Sequence, residues 1–181
     1  MKLKMKFREF IYISNLLSFA RILLAAPVYY LLHQRTTNGN LMALGVLFLA
    51  ALTDALDGRL ARKLGQKSEL GRVLDPVADK ICIGVVVLSL LRTSDLPFWF
   101  VIMVLIRDVG IVVLGMFMSI RTNRIVESNM LGKITVTSLS MTTVAFIIDI
   151  VILKRITMAV SVVLLLASSM SYFVKLKRSL T

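Results

Sequence analysis

Six long apolar runs recur along this chain, and they constrain its fold more than any other feature. They cover roughly residues 10–32, 40–62, 72–92, 97–120, 131–153 and 156–175. Each has about the 20 residues that an α-helix needs to cross the apolar core of a bilayer. The runs therefore predict an all-α, polytopic membrane protein with six transmembrane helices. No linker or repeat divides the chain, so residues 1–181 are expected to form a single domain.

The composition supports a membrane location. Of the 181 residues, 57% are hydrophobic and the mean hydropathy is +0.85, which a soluble domain of this size rarely tolerates. Cys82 is the only cysteine, so the chain can form neither an intrachain disulfide nor a cysteine metal cluster.

Basic residues are distributed unevenly between the two ends of the predicted helices. In a six-helix arrangement most basic residues fall on the side that holds both termini. The opposite side holds only Arg35, Arg92, Lys154 and Arg155. By the positive-inside rule both termini are therefore predicted to be cytosolic. The basic fringe also suits anionic lipid headgroups, so membrane lipids, and not nucleic acid, are the expected partners. Fifteen of the 22 basic residues lie on the cytosolic side: Lys2, Lys4, Lys6, Arg8, Arg59, Arg62, Lys63, Lys67, Arg72, Arg121, Arg124, Lys133, Lys175, Lys177 and Arg178.

Four aspartates lie in the stretch DALDGRLARKLGQKSELGRVLDPVADK, which joins the second and third apolar runs. On a 3.6-residue period, Asp54 and Asp57 share a stripe of one helix, and Asp75 and Asp79 share a stripe of the next. The connection is short, so the two helices are expected to be antiparallel neighbours whose carboxylates converge. Four unpaired carboxylates would repel each other, so cations or protons must neutralise them. Oxygen-only ligands favour a hard divalent ion, and four carboxylates suffice for two ions that hold a phosphoryl group.

Small residues accompany the aspartates. Gly58 and Ala61 share the stripe of the second helix and Gly71 that of the third, where bulk would exclude a phosphate. Arg62 is placed to contact a phosphate oxygen. Each feature has a simpler alternative: aspartates and small residues can be helix-packing contacts, and Arg62 can be a topology charge. These alternatives explain one or two residues each and not the whole set in phase, so we interpret the set as a site.

The pattern Asp54-x-x-Asp57-Gly58-x-x-Ala61-Arg62, eight residues, then Gly71-x-x-x-Asp75-x-x-x-Asp79 resembles the signature of the CDP-alcohol phosphatidyltransferases. The resemblance implies that CDP-diacylglycerol binds with its pyrophosphate on two Mg²⁺ or Mn²⁺ ions. An alcohol then attacks the lipid-side phosphorus and CMP leaves. The resemblance also implies a homodimer.

The same resemblance implies roles for the motif residues. Asp54, Asp57 and Asp75 would be metal ligands, and Asp79 would complete the second metal site and act as general base. A carboxylate beside a metal can accept the alcohol's proton, although a purely ligating role for Asp79 stays open. The donor lipid would be bound near Gly58, Ala61, Arg62 and Gly71.

The acceptor alcohol is less clearly indicated. The strings GRVLDPVADK, NLLSFARILLAAP and SNMLGKITVT resemble the branch of the family that uses glycerol 3-phosphate to make phosphatidylglycerophosphate, which is the favoured reaction. Cardiolipin synthases share the first string, and the pair Arg107–Asp108 is closer to theirs. In the third string, Thr135 and Val136 replace the usual lysine and threonine. Transfer to phosphatidylglycerol is therefore the alternative, and an inositol phosphate acceptor is less favoured.

An acceptor that carries a phosphate monoester needs cationic donors. Arg107 lies well inside the fourth helix, and Lys133 and Arg121 flank the cytosolic end of the predicted pocket, where Ser128 could add a hydroxyl. Pairing with the neighbouring Asp108 is the alternative for Arg107.

Two other functions would also place carboxylates in a membrane protein. A divalent-cation or proton-coupled transporter needs a polar route across the membrane, whereas here the carboxylates cluster at the cytosolic end. A catalytically inactive scaffold would not be expected to keep every motif residue. The sequence thus predicts a multi-pass enzyme of a bacterial cell membrane whose active site faces the cytosol.

Overall fold

The computed structural model describes residues 12–63, 69–122 and 130–180, and over these residues it consists of six α-helices. The all-α fold and the number of helices are confirmed, and most helix ends lie within three residues of the predicted ones. The helices are α1 (Ile13–His33), α2 (Thr37–Lys63), α3 (Glu69–Thr93), α4 (Phe98–Thr122), α5 (Met130–Ile148) and α6 (Val151–Leu180).

Large apolar side chains face outward along the helices. Leu23, Ile106 and Val163 are 74%, 68% and 66% exposed, which is unfavourable in water and costs nothing in lipid. Among the described residues, three segments are long and apolar enough to cross a membrane: Asn15–His33, Met130–Ile148 and Val151–Val174. The chain is an integral membrane protein. Six spans and cytosolic termini stay predictions.

The chain divides into two compact units, Met1–Ser94 and Asp95–Thr181. In the described part of the first unit, α2 and α3 each pack extensively on α1, and the expected pairing of α2 with α3 stays a prediction. Ala25, Ala43 and Ala78 are buried on the three helices, and such small side chains let helix backbones approach closely. Whether residues 1–181 act as a single domain stays a prediction.

The turn between α1 and α2 also contacts the end of α3. Arg35 has a φ of 50°, and its Nη2 donates to the carbonyl oxygen of Arg92 at 2.7 Å. The Gly39 N–H donates to the Thr36 hydroxyl at 3.0 Å. A Cβ at Gly39 would lie 2.7 Å from the Leu31 carbonyl oxygen, so this turn requires glycine.

In the second unit, α5 and α6 form a hairpin whose position differs from the prediction. The predicted break placed Lys154 and Arg155 in the connection, but both lie in α6 and the break is at Asp149. Asp149 adopts a left-handed φ of 68°, which aspartate tolerates better than most residues. Its carboxylate pairs with the Lys154 ammonium, which also lies 5.4 Å from the Phe146 ring centroid. Because its charge is paired, buried Lys154 can lie in the first turn of α6, a helix that the sequence pattern starts only at residue 156.

Hydroxyl groups connect the buried faces of α5 and α6. The Ser161 hydroxyl hydrogen-bonds those of Ser138 at 2.7 Å and Thr142 at 2.8 Å. The Thr135 hydroxyl donates to the carbonyl oxygens of Leu131 at 2.7 Å and Leu164 at 3.3 Å. Polar side chains of this kind join helices where no hydrophobic driving force exists between them. Helix α4 packs against α6 in the same unit.

Two glycines of α2 offer a matched test of this packing. Gly39→Ala should destabilise the protein by about 1–3 kcal/mol, because the new methyl group overlaps a backbone oxygen. Gly45→Ala should leave stability unchanged or raise it by up to about 1 kcal/mol, because no atom lies within 4 Å of its Cβ position. Thermal unfolding of both variants in detergent measures the difference. Equal melting temperatures would contradict the packing described for the α1–α2 turn.

Candidate functional site

Two of the predicted metal ligands, Asp75 and Asp79, lie about one turn apart on α3, and side chains of α1 contact both. The Ser18 hydroxyl donates to Asp75 Oδ1, and Arg21 Nη1 donates to Asp79 Oδ1 at 2.6 Å. Ser18 is fully buried and Arg21 is 2% exposed, whereas the Asp79 side chain is 48% exposed. Buried donors of α1 thus hold both carboxylates, and the Asp79 side chain stays accessible to a ligand.

The sequence pattern predicts no role in the site for Ser18 or Arg21. The signal that could have found them is the spacing of Asn15, Ser18 and Arg21, which follow one another at three-residue intervals in an apolar run. Such spacing predicts one helix face. All three are buried, but the sequence alone does not say which helix that face contacts.

Asp75 and Asp79 fit part of a divalent-cation site. Their ligand atoms are hard carboxylate oxygens, as Mg²⁺ and Mn²⁺ prefer. No cluster of three or more His, Cys, Asp or Glu occurs among the side chains that the structure describes. The remaining predicted members lie outside those side chains, so convergence of four aspartates stays a prediction: Asp54, Asp57, Gly58, Ala61, Arg62 and Gly71.

In the second unit, Arg107 is buried and only partly paired. Its side chain is 8% exposed; Nη1 donates to Asp108 Oδ1 at 2.7 Å and Nη2 to the Ser168 hydroxyl at 2.9 Å. The pairing with Asp108, weighed as an alternative, is therefore confirmed. The buried Nε has no partner within the described residues. An arginine with an unused N–H in a buried position can accept an additional anionic ligand.

Gly132 at the start of α5 lies beside this guanidinium. A Cβ at Gly132 would be 3.4 Å from the Tyr172 hydroxyl and 3.6 Å from Arg107 Nη2, so α4, α5 and α6 meet closely here. The next residue, Lys133, is exposed. The structure brings Ser168 to Arg107 and Tyr172 to Gly132, which the sequence did not predict. The other predicted acceptor residues, Arg121 and Ser128, lie outside the described side chains.

Comparisons with known proteins match most of the chain. Residues 11–167 match the sequence model for CDP-alcohol phosphatidyltransferase. The chain is 34% identical over 175 residues to a CDP-diacylglycerol–glycerol-3-phosphate 3-phosphatidyltransferase of Aquifex aeolicus, covering 90% of this chain and 94% of that protein. A protein of the same name from Bacillus subtilis is 36% identical over 94 residues, which cover 51% of this chain and 48% of that protein.

A relative with a different name is also similar. A cardiolipin synthase (CMP-forming) of Rattus norvegicus is 42% identical over 111 residues, which cover 61% of this chain. This chain spans 36% of the rat protein, so the similarity concerns only a part of that relative.

The Arg107 contacts generate a stability prediction. Ser168→Ala should destabilise the protein by about 1–3 kcal/mol, because it leaves a second buried N–H of Arg107 without a partner. Ser169→Ala is the matched control: Ser169 is exposed and its hydroxyl bonds only the Leu165 carbonyl of its own helix, so a change within about 0.5 kcal/mol is expected. Thermal unfolding in detergent compares the two. A larger loss for Ser169→Ala would contradict the contact.

Proposed function

We propose a reaction for this chain on the premise that it belongs to the CDP-alcohol phosphatidyltransferase family. It transfers the phosphatidyl group of CDP-diacylglycerol to glycerol 3-phosphate, releasing CMP and forming phosphatidylglycerophosphate. The observation that carries this choice is the Aquifex aeolicus relative of that name, which aligns over nearly the full length of both proteins.

The aspartates would carry the chemistry. Asp54, Asp57, Asp75 and Asp79 hold two Mg²⁺ or Mn²⁺ ions, which when bound neutralise charge on the pyrophosphate. The half-exposed carboxylate of Asp79 takes the proton from the acceptor hydroxyl as that oxygen bonds to the lipid-side phosphorus. The bond from this phosphorus to the bridging oxygen breaks, and CMP leaves with the electron pair.

The donor lipid would need room and a cation beside these carboxylates. Gly58, Ala61 and Gly71 carry little or no side chain, so a phosphate can approach the helices there. Arg62 binds a phosphate oxygen through charge-assisted hydrogen bonds.

The phosphate of the acceptor would be bound by basic residues of the second unit. Arg107 supports this role, because its guanidinium is buried and its Nε is unpartnered among the described residues. Two further positive charges, from Lys133 and Arg121, and the hydroxyl of Ser128 would also bind the acceptor phosphate.

The orientation follows from the basic residues. We propose six spans with both termini and the active site on the cytosolic side, in a bacterial cell membrane. Helices of 19 to 30 residues support this arrangement, because at 1.5 Å per residue each is at least about as long as the apolar core is thick. The enzyme would act as a homodimer.

Transfer to phosphatidylglycerol is the second candidate. It is supported by the 42% identity to the rat cardiolipin synthase and by the Arg107–Asp108 pair. The two acceptors differ chemically, because glycerol 3-phosphate carries a phosphate monoester and phosphatidylglycerol a diester.

An acceptor panel tests the proposal. Purified protein in detergent with Mg²⁺ receives CDP-diacylglycerol and either glycerol 3-phosphate, phosphatidylglycerol, inositol 1-phosphate or no acceptor, each with an EDTA control. Metal-dependent CMP release with glycerol 3-phosphate alone, and the matching lipid product, is expected. Release with phosphatidylglycerol instead would assign the second candidate, and no release with any acceptor would overturn both.

Replacing one aspartate should separate chemistry from folding. Asp57→Asn is expected to lower CMP release by about 100-fold or more, because it removes a charged ligand from the ions that stabilise the phosphates. Size-exclusion chromatography should show an unchanged folded protein. Near-normal turnover would refute the metal-ligand role of Asp57.

Replacing the basic residues should separate acceptor from donor binding. Arg107→Ala and Lys133→Ala are each expected to raise KM for glycerol 3-phosphate about 10-fold or more, because each removes a charge-assisted hydrogen bond. KM for CDP-diacylglycerol should change by less than about twofold. Arg155→Ala, an exposed cation of α6, is the control. Equal changes for both substrates would move these residues to the donor site.

A further inference from the structure

We infer that Ser18 and Arg21 of α1 are positioning residues for Asp75 and Asp79. Each holds one oxygen of a carboxylate on α3, which leaves the other oxygen for a divalent cation. The inference rests on the proposed metal role of these aspartates and deepens it, because it makes α1 part of the metal site through hydrogen bonds to the carboxylates.

The contacts repeat along both helices. Ser18 and Arg21 are three residues apart on α1, and Asp75 and Asp79 are four apart on α3, so each pair lies on one helix face. In both contacts the acceptor atom is Oδ1. The second oxygen of each carboxylate has no partner among the described residues.

A third contact extends this alignment. The Cys82 thiol donates to the Arg21 carbonyl oxygen at 3.1 Å, so α1 contacts α3 at residues 75, 79 and 82 in succession. The donors Ser18 and Arg21 are both buried, so water has little access to the donor side of these bonds. The bonds therefore fix both the side chains and the register of α1 on α3.

Carboxylates that bind metals are commonly oriented by hydrogen bonds from outside the coordination shell, and loss of such a partner weakens metal binding about 10–100-fold. Helix packing is the simpler explanation for the same contacts. The two explanations differ in their consequence: packing contacts affect stability alone, whereas positioning contacts affect metal affinity.

Arg21 provides a second distinction through its charge. A cation beside the carboxylates repels a divalent ion, so a simple counter-ion would weaken metal binding, and its removal would strengthen it. If Arg21 instead positions Asp79, its removal weakens metal binding despite the gain in negative charge.

Mn²⁺ binding to the purified full chain in detergent, followed by electron paramagnetic resonance, tests the inference without turnover. Ser18→Ala, which changes no charge, is expected to raise the Kd for Mn²⁺ about 10-fold or more. Ser89→Ala is the matched control, because Ser89 is a fully buried serine of α3 whose hydroxyl has no partner among the described residues. Its Kd should equal that of the unmodified protein.

Arg21→Met is the second variant and is also expected to raise the Kd. Unchanged Mn²⁺ affinity in Ser18→Ala would overturn the inference for Ser18, and tighter binding in Arg21→Met would overturn it for Arg21. Both results leave the proposed function intact if the unmodified protein binds Mn²⁺ and releases CMP. If the unmodified protein does neither, the proposed function fails and the inference with it.

Discussion

A charged side chain inside a bilayer has no water to solvate it, so it must find its partner within the protein. Three cations with buried side chains in this chain find such partners in different ways. Arg21 pairs with Asp79 on another helix, Lys154 with Asp149 in the adjacent turn, and Arg107 with its neighbour Asp108. These pairings account for one contact between α1 and α3, for the position of the α5–α6 hairpin, and for the partly paired guanidinium of the second unit.

The same constraint explains the polar residues that interrupt the apolar runs. Lipid is as apolar as leucine, so the helices gain little from burying large apolar side chains against each other. They associate through small residues and hydroxyls instead, as with Ala43 and Ala78 around α1, and with Ser138 and Ser161 between α5 and α6. Ser138 and Ser161 therefore lie on the faces where α5 and α6 meet.

The role of α1 changes the view of the acidic motif. The signature residues belong to α2 and α3, yet the described helix packing of the first unit is centred on α1. Phosphoryl transfer with bound metals depends on ligand geometry, and the two proposed ligands of α3, Asp75 and Asp79, accept hydrogen bonds from α1. A site assigned from its signature alone would omit the helix that contacts two of its aspartates.

The sequence by itself determined the six helices, the membrane location and the family, because apolar run length and motif spacing are local properties of the chain. It also identified Arg107 as a buried cation. Only the tertiary structure decided that Ser18 and Arg21 contact the aspartates, that Ser168 contacts Arg107, and that α6 begins before Lys154. Those outcomes depend on which helix faces meet and which distant charges pair. A helical period specifies a face, but the choice of its partner is made by packing and by the cost of leaving a buried charge alone.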